Sequence, residues 1–240
     1  MKLDGVILVA AYTARSRAYA QAIKHAGLTI EHVVLLGDPT IDTRTENFSS
    51  NDKVKDLFLP QLDTPLRETC DAAGWPITKI ACSSINDSIV EETLRALTPT
   101  TIIYSGFSGQ LVGSNMLSMG MNILHIHAGR LPDYRGSTTI YYSWLIENQC
   151  GVSAILLDQG IDTGPVIARR QYPPPPHGMN VDHLYDSALR ADLLVDVLTR
   201  YSENNELPKI ETEPDGQTYF VIHPVLKHIA LLQKQNDDQD

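Results

Sequence analysis

Short, nearly continuous apolar runs, set apart by helix-like stretches, constrain this chain more than any other feature. Gly5–Ala11, His32–Gly37, Thr101–Tyr104 and Gly151–Leu157 are runs of strand length, rich in aliphatic and β-branched residues. Strands buried on both faces read as continuous apolar runs rather than as alternations. Between them lie an amphipathic stretch ending at His25 and stopped by Gly27, and another over Thr64–Ala73 before Gly74. A third runs over Ser88–Leu97, with Asn86-Asp87 as its cap and Glu91 and Glu92 matching the helix dipole. Further helices are predicted over Ser137–Glu147 and over Val181–Tyr201, where Leu184, Ala188, Ala191, Val195 and Leu198 make one stripe. Strands alternating with helices imply an α/β fold, a doubly wound and mostly parallel sheet.

A chain of 240 residues suits one large domain with a small appendage. The division expected is a main domain over 1–202 and a C-terminal extension over 203–240, with a strand at Tyr219–Ile222, a helix at Pro224–Leu232 and an acidic tail. Pro173–Pro176 is a stiff spacer. The polar, aperiodic stretch Thr40–Lys55 reads as a long surface loop of the kind that serves as a lid.

The chemistry gathers at Leu124–Gly136, L-H-I-H-A-G-R-L-P-D-Y-R-G. If Ile123–His127 is a strand, His125 and His127 share a face, about 7 Å apart at roughly 3.3 Å of rise per residue. Pro132 ends the strand, and the turn-rich loop beyond it lies where open α/β sheets place ligands. A lone histidine here is more readily a hydrogen-bonded core residue, but two at i and i+2 put a site on an even footing with that reading. The apolar run Gly151–Leu157 then leads into D-Q-G-I-D-T-G-P-V-I, Asp158 to Ile167, a turn that carries two carboxylates.

Together the two motifs resemble the folate-dependent formyltransferase family, whose hallmark is Asn-x-His, a loop of the type S-L-L-P-x-Y-R-G, then D-x-G-x-D-x-G-P. The resemblance spans roughly Val6 to Arg200. It implies a catalytic role for His127 in proton transfer and for Asp162 in orienting it. The family asparagine, which donates to the oxyanion, falls on His125; this is a departure, and His125 takes the oxyanion role only if one ring nitrogen donates. The resemblance further implies 10-formyltetrahydrofolate as formyl donor, with Phe107, Gly109, Leu111 and Asp158 lining its pocket. A plain turn with a core-facing Phe107 is the competing account of that segment. Tyr134, Arg135 and Arg15 are the candidate substrate contacts, set against a loop-bracing Arg135 and a solvated helix face at Arg15 and Arg17.

The formal net charge of -10 argues against a nucleic-acid partner, because neutralising phosphates needs clustered Lys and Arg. The tRNA-directed members of the family also carry a further C-terminal domain for which this length leaves no room. By elimination the acceptor expected is a small primary amine such as an amino-sugar nucleotide. Three cysteines without metal or redox spacing imply reduced thiols and a cytoplasmic location, and no segment has the length to span a membrane. The Trp/Tyr-rich helix and the C-terminal extension offer surfaces for a homodimer.

Two further classes stay open on the residues alone. His125-x-His127 with Asp158 or Asp162 is also a ligand pattern for Zn²⁺ or Fe²⁺, as in a hydrolase or oxygenase. A non-catalytic binding protein that keeps the fold would also show one exchanged site residue.

Overall fold

The computed structural model describes residues 1–43, 54, 56–210 and 216–233. The chain opens with β1 (Lys2–Ala11), α1 (Ala14–His25) and β2 (Thr29–Leu36), followed by a 3₁₀ turn at Pro39–Ile41. Next come α2 (Leu66–Ala72), β3 (Ile77–Ile80), α3 (Ser88–Leu97), β4 (Thr101–Ser105), α4 (Ser114–Leu117) and β5 (Asn122–His127). The second half holds β6 (Tyr134–Gly136), α5 (Thr139–Glu147), β7 (Cys150–Leu156) and β8 (Val166–Tyr172). It closes with a π-helical turn at Val181–Tyr185, α6 (Asp186–Asn204), β9 (Gln217–Tyr219) and α7 (Pro224–Leu232).

The main sheet has the order β3-β2-β1-β4-β5-β7-β8. Its pairs from β3 to β5 are parallel, and β7 and β8 join as antiparallel neighbours. This is the doubly wound, mostly parallel architecture the apolar runs imply. Period-two alternation along β1 sends Val6, Leu8 and Ala10 into one core and Ile7 and Val9 into the other. The first core lies under α1, α5 and α6, with Tyr19, Ile23, Leu189 and Leu193 fully buried; the second takes Val90, Leu94 and Met116 from α3 and α4. Each fully buried Leu or Ile contributes about 1.5–3 kcal/mol, so these two layers fix the sheet.

Helix α1 begins where Thr13 accepts a hydrogen bond from the Ser16 amide and ends before Gly27 at φ +68. Its Arg17 is not on a solvated face. It is buried in an ion pair with Asp42 at 3.1 Å and donates to the carbonyls of Leu62 and Thr43. Asp42 in turn accepts from the Leu66 and Arg67 amides at the start of α2. Beyond Thr43, the surface loop expected over Thr40–Lys55 lies outside the described residues apart from Val54, as does the tail from Gln235.

Strand order reverses between β1 and β4, and ligands of open α/β sheets bind over the C-terminal ends of such strands. A second, two-stranded sheet lies beyond the exit of β5, where β6 pairs in parallel with β9 from the C-terminal region. The sequence pattern did not foresee that pairing. Among the described residues, no helix is long and apolar enough to cross a membrane.

Candidate active site

On β5, Leu124 and Ile126 face the core, which turns His125 and His127 together to the other face. Asp162 reaches them from the turn after β7 at φ +54, a left-handed conformation that Asp tolerates better than most residues. One ligand-capable atom from each of His125, His127 and Asp162 lies within 4.8 Å of the others. The three residues singled out for chemistry are therefore brought into one cluster.

Strand β6 holds two of them through its backbone. The Tyr134 carbonyl accepts from His127 Nε2 at 2.7 Å, and the Gly136 amide donates to Asp162 Oδ2 at 2.8 Å. Because a carbonyl only accepts, the proton of a neutral His127 sits on Nε2. The Nδ1 lone pair then faces Asp162 Oδ1 at 3.4 Å. Thr139 Oγ1 stands 3.4 Å from His127 Nε2 and bonds the Ala128 carbonyl. Buried Ser153, opposite His127 in the β5–β7 register, donates to the Gly129 carbonyl at 2.8 Å and accepts from the Leu131 amide at 2.9 Å. These bonds shape the loop so that no side chain fits at Gly129. A Cβ there would stand 2.5 Å from the Tyr134 oxygen and 2.7 Å from His127 Nε2.

Both histidines are held below the ordinary imidazole pKa, for related reasons. Burial is the largest cause for His127; Asp162 pulls the other way, and Arg190 adds to the depression. For His125 burial again leads, and Arg15, Arg190 and His127 push further in the same direction, well below 6.5. Both rings are neutral at pH 7. His125 Nδ1 is buried without a hydrogen-bond partner.

Two cavities flank the cluster. One, of about 150 Å³, is walled by Leu111, Val112, Leu157 and Ile161 and reaches His125 and Asp162. Gln110 Oε1 is buried there without a partner, and Asp158 lines the same space. Asp158 also builds the turn, accepting from the Gly160 amide at 3.0 Å and Thr163 Oγ1 at 2.7 Å. The other cavity, of about 330 Å³, lies over the strand switch and is lined by Arg15, Ser137, Thr138, Asp182, Asp186 and Arg190. Arg15 is anchored there by Ser105 Oγ at 3.1 Å and the Gly106 carbonyl at 2.8 Å.

The other candidate residues lie apart from the cluster or on its margin. Phe107 does not line the smaller cavity. It is partly buried and packs against the second core, and its ring covers Gly37, where a Cβ would meet it at 3.3 Å. Gly109, at φ +74 with open space around it, lines neither cavity, while Leu111 does and is 66% exposed. Tyr134 is buried, its hydroxyl donates to Glu147 at 2.8 Å, and its ring stacks on Tyr219. Arg135 lies in β6, opposite Thr218 of β9, and lines neither cavity.

Sequence reasoning missed Arg190, Gln110 and the β6–β9 brace. Asp186–Arg190 at 2.9 Å has the i, i+4 spacing of an ordinary surface helix pair, so the sequence hides its burial. Three-residue strands are too short to carry a periodic signal.

The sequence profile of the formyl transferase family matches residues 6–192. The methionyl-tRNA formyltransferase of Chloroflexus aggregans is 32% identical over 168 residues, 68% of this chain and 52% of its own length. That of Trichlorobacter lovleyi is 30% identical over 202 residues, 79% of this chain and 61% of its own. The chain thus spans roughly half to three-fifths of these relatives. Among solved structures, a phosphoribosylglycinamide formyltransferase from Anaplasma phagocytophilum shares the fold at TM-score 0.58 and 14% identity, covering 92% of this chain and 98% of that one. A sugar N-formyltransferase from a Shewanella species does so at TM-score 0.57 and 15% identity, covering 95% and 86%.

Proposed function

The chain belongs to the formyl transferase family, and from that membership we propose that it moves a formyl group from 10-formyltetrahydrofolate to a primary amine of a small molecule such as an amino-sugar nucleotide. The observation that carries the reading is the His127–Asp162 pair, with a neutral imidazole whose free lone pair faces a carboxylate at 3.4 Å.

The donor supplies an activated formyl carbon and a nitrogen leaving group. Its flat, polar-edged ring fits the smaller cavity, where four apolar side chains meet the unpaired Gln110 Oε1. A volume of about 150 Å³ takes the ring end alone, well below the ~300 Å³ that encloses a whole drug-sized ligand. As the amine attacks, His127 Nδ1 takes its proton. The resulting imidazolium gains a charge-assisted hydrogen bond to Asp162, which the Gly136 amide holds in place. His127 then returns the proton to the departing nitrogen. His125 stands where the family has asparagine, and its buried, unpartnered Nδ1 serves the oxyanion when that atom carries the proton.

The larger cavity receives the acceptor. Arg15 and Arg190 favour an anionic group there, while Asp182 and Asp186 suit amine and hydroxyl donors. The names of the sequence relatives make methionyl-tRNA the competing acceptor, and a net charge of -10 does not by itself exclude it.

The test is transfer of an isotopically labelled formyl group from 10-formyltetrahydrofolate to a panel of amino-sugar nucleotides and to methionyl-tRNA. Labelled amino sugar is the expected product. Label on methionyl-tRNA alone overturns the acceptor, and no label on any amine overturns the activity.

A further inference from the structure

We infer that His125, His127 and Asp162 form a binding site for one divalent transition-metal ion of the Zn²⁺ class, with an open fourth position. The Tyr134 carbonyl fixes the His127 proton on Nε2, which leaves two acceptors, His127 Nδ1 and Asp162 Oδ1, facing each other at 3.4 Å. Two lone pairs at that distance repel unless something positive lies between them. A proton on Nδ1 is one such charge, and a cation bonded to both atoms is another. A cation serves without protonating the ring.

The third donor is at hand. His125 Nδ1 is buried and has no hydrogen-bond partner, and one ligand-capable atom from each of the three residues lies within 4.8 Å of the others. Bonds of ~2.0–2.1 Å at tetrahedral angles separate neighbouring ligands by about 3.3 Å. The His127–Asp162 edge already has that length, and His125 needs to close by at most about 1.5 Å, a movement of its ring within the cavity. Supporting contacts of the usual kind are present: His127 donates its remote N–H to a backbone carbonyl, and the Asp162 carboxylate accepts a backbone amide. Two imidazoles and one carboxylate with a vacant position describe a zinc site that keeps an exchangeable ligand.

The charged groups around the cluster also bear on this site. Arg190 raises the potential at both rings and Arg15 at His125, while Asp162 and Asp186 lower it at His127. That balance weakens a bare cation and favours one whose fourth ligand is an anion, hydroxide or a small carboxylate. The family's asparagine at position 125 would remove the second imidazole, so the site follows from the residue by which this chain departs from its family.

The inference does not rest on formyl transfer. Cation binding uses His125 with its proton away from Nδ1, whereas oxyanion stabilisation uses the other tautomer. A metal also occupies the His127 lone pair that proton transfer needs, so metal-loaded and transferring protein are exclusive states. The test is titration of the metal-stripped protein with Zn²⁺ against a chromophoric chelator, repeated with His125→Asn and with Co²⁺ as a spectroscopic probe. One ion per chain is expected, with the intense visible bands of four-coordinate Co²⁺ and at least tenfold weaker binding in His125→Asn. The inference is overturned if the stripped protein takes up no ion, or if it binds one with an affinity unchanged in His125→Asn. Transfer by the stripped protein, measured separately, decides the formyl reading on its own.

Discussion

The half of the sheet from β3 to β4 and the half from β5 to β8 are built by different means. In the first, β1 and β4 are buried by apolar side chains, and the strand positions follow from hydrophobic area alone. In the second, the sheet carries His125, His127 and Ser153, and their geometry depends on single backbone hydrogen bonds from β6 and the adjoining loops. Area burial tolerates small shifts, because its energy is spread over many contacts of ~0.1–0.2 kcal/mol each. A hydrogen bond at 2.7 Å does not. The half that holds the chemistry is thus the half most sensitive to substitutions that leave the core untouched.

The sharpest break of that contrast is at the cluster itself. His127→Asn or Asp162→Asn is expected to lower formyl transfer by about a thousandfold or more, within the range of a lost acid–base group, with the unfolding midpoint nearly unchanged. Unchanged turnover in a steady-state assay removes the residue from the mechanism. Gly129→Ala comes next. Its methyl group is set against the Tyr134 oxygen and His127 Nε2, so the bond that fixes the tautomer must open. A displacement of ~1 Å at a reacting group costs about a hundredfold in rate. A variant as fast as the parent shows that the loop adjusts freely, and the contrast between the halves fails.

Acidification separates the halves in another way. The folded-state pKa of both histidines lies below the unfolded value of 6.5, with burial the leading cause. Below pH 6.5 the unfolded chain therefore binds more protons than the folded one, and stability falls as pH drops through that window. Denaturant midpoints measured from about pH 8 to pH 5 are expected to fall less in His125→Asn than in the parent. Parallel curves would mean that His125 titrates alike in the folded and unfolded chains.

The brace is tested with a smaller effect. Tyr219 stacks on Tyr134 at 5.3 Å and packs on Tyr142 at 4.5 Å, joining the C-terminal region to β6 and α5. Tyr219→Ala is expected to cost about 1 kcal/mol of stability, as aromatic pairs do, and roughly tenfold in kcat with little change in KM. A purely structural role would move the first and not the second.

These cases explain what the sequence disclosed. The strands and helices of the first half were legible because burial on both faces writes continuous apolar runs, and Gly27 and Asp87 punctuate them locally. His125, His127 and Asp162 were legible because i, i+2 spacing on a strand and an Asp-Gly turn are local signals. What β6 does was not. Its three residues owe their conformation to β9, eighty-three positions downstream by register, and no local pattern records such a pairing. Where the Tyr134 and Phe107 side chains pack was illegible for the same reason. An aromatic residue in a loop has the same letter whether it faces a ligand or a core.

Phe107 and Leu111 give the smallest and most discriminating comparison, since they lie four residues apart on opposite sides of that ambiguity. Phe107 packs against the second core over Gly37, whereas Leu111 is 66% exposed on the wall of the smaller cavity. Phe107→Leu keeps most of the apolar volume, so it is expected to cost about 1 kcal/mol in a denaturant titration and to leave folate affinity unchanged. Leu111→Ala removes surface that is open in the free protein and covered by a ligand ring. It is expected to leave the unfolding midpoint in place and to weaken a 10-formyltetrahydrofolate analogue by about fivefold, the equivalent of roughly 1 kcal/mol of apolar burial. Calorimetric titration of both variants with the analogue reads the difference directly. If Phe107→Leu loses affinity and Leu111→Ala does not, the donor lies on the β2–β4 side of the loop rather than beside His125 and Asp162, and the proton path through His127 Nδ1 goes with it.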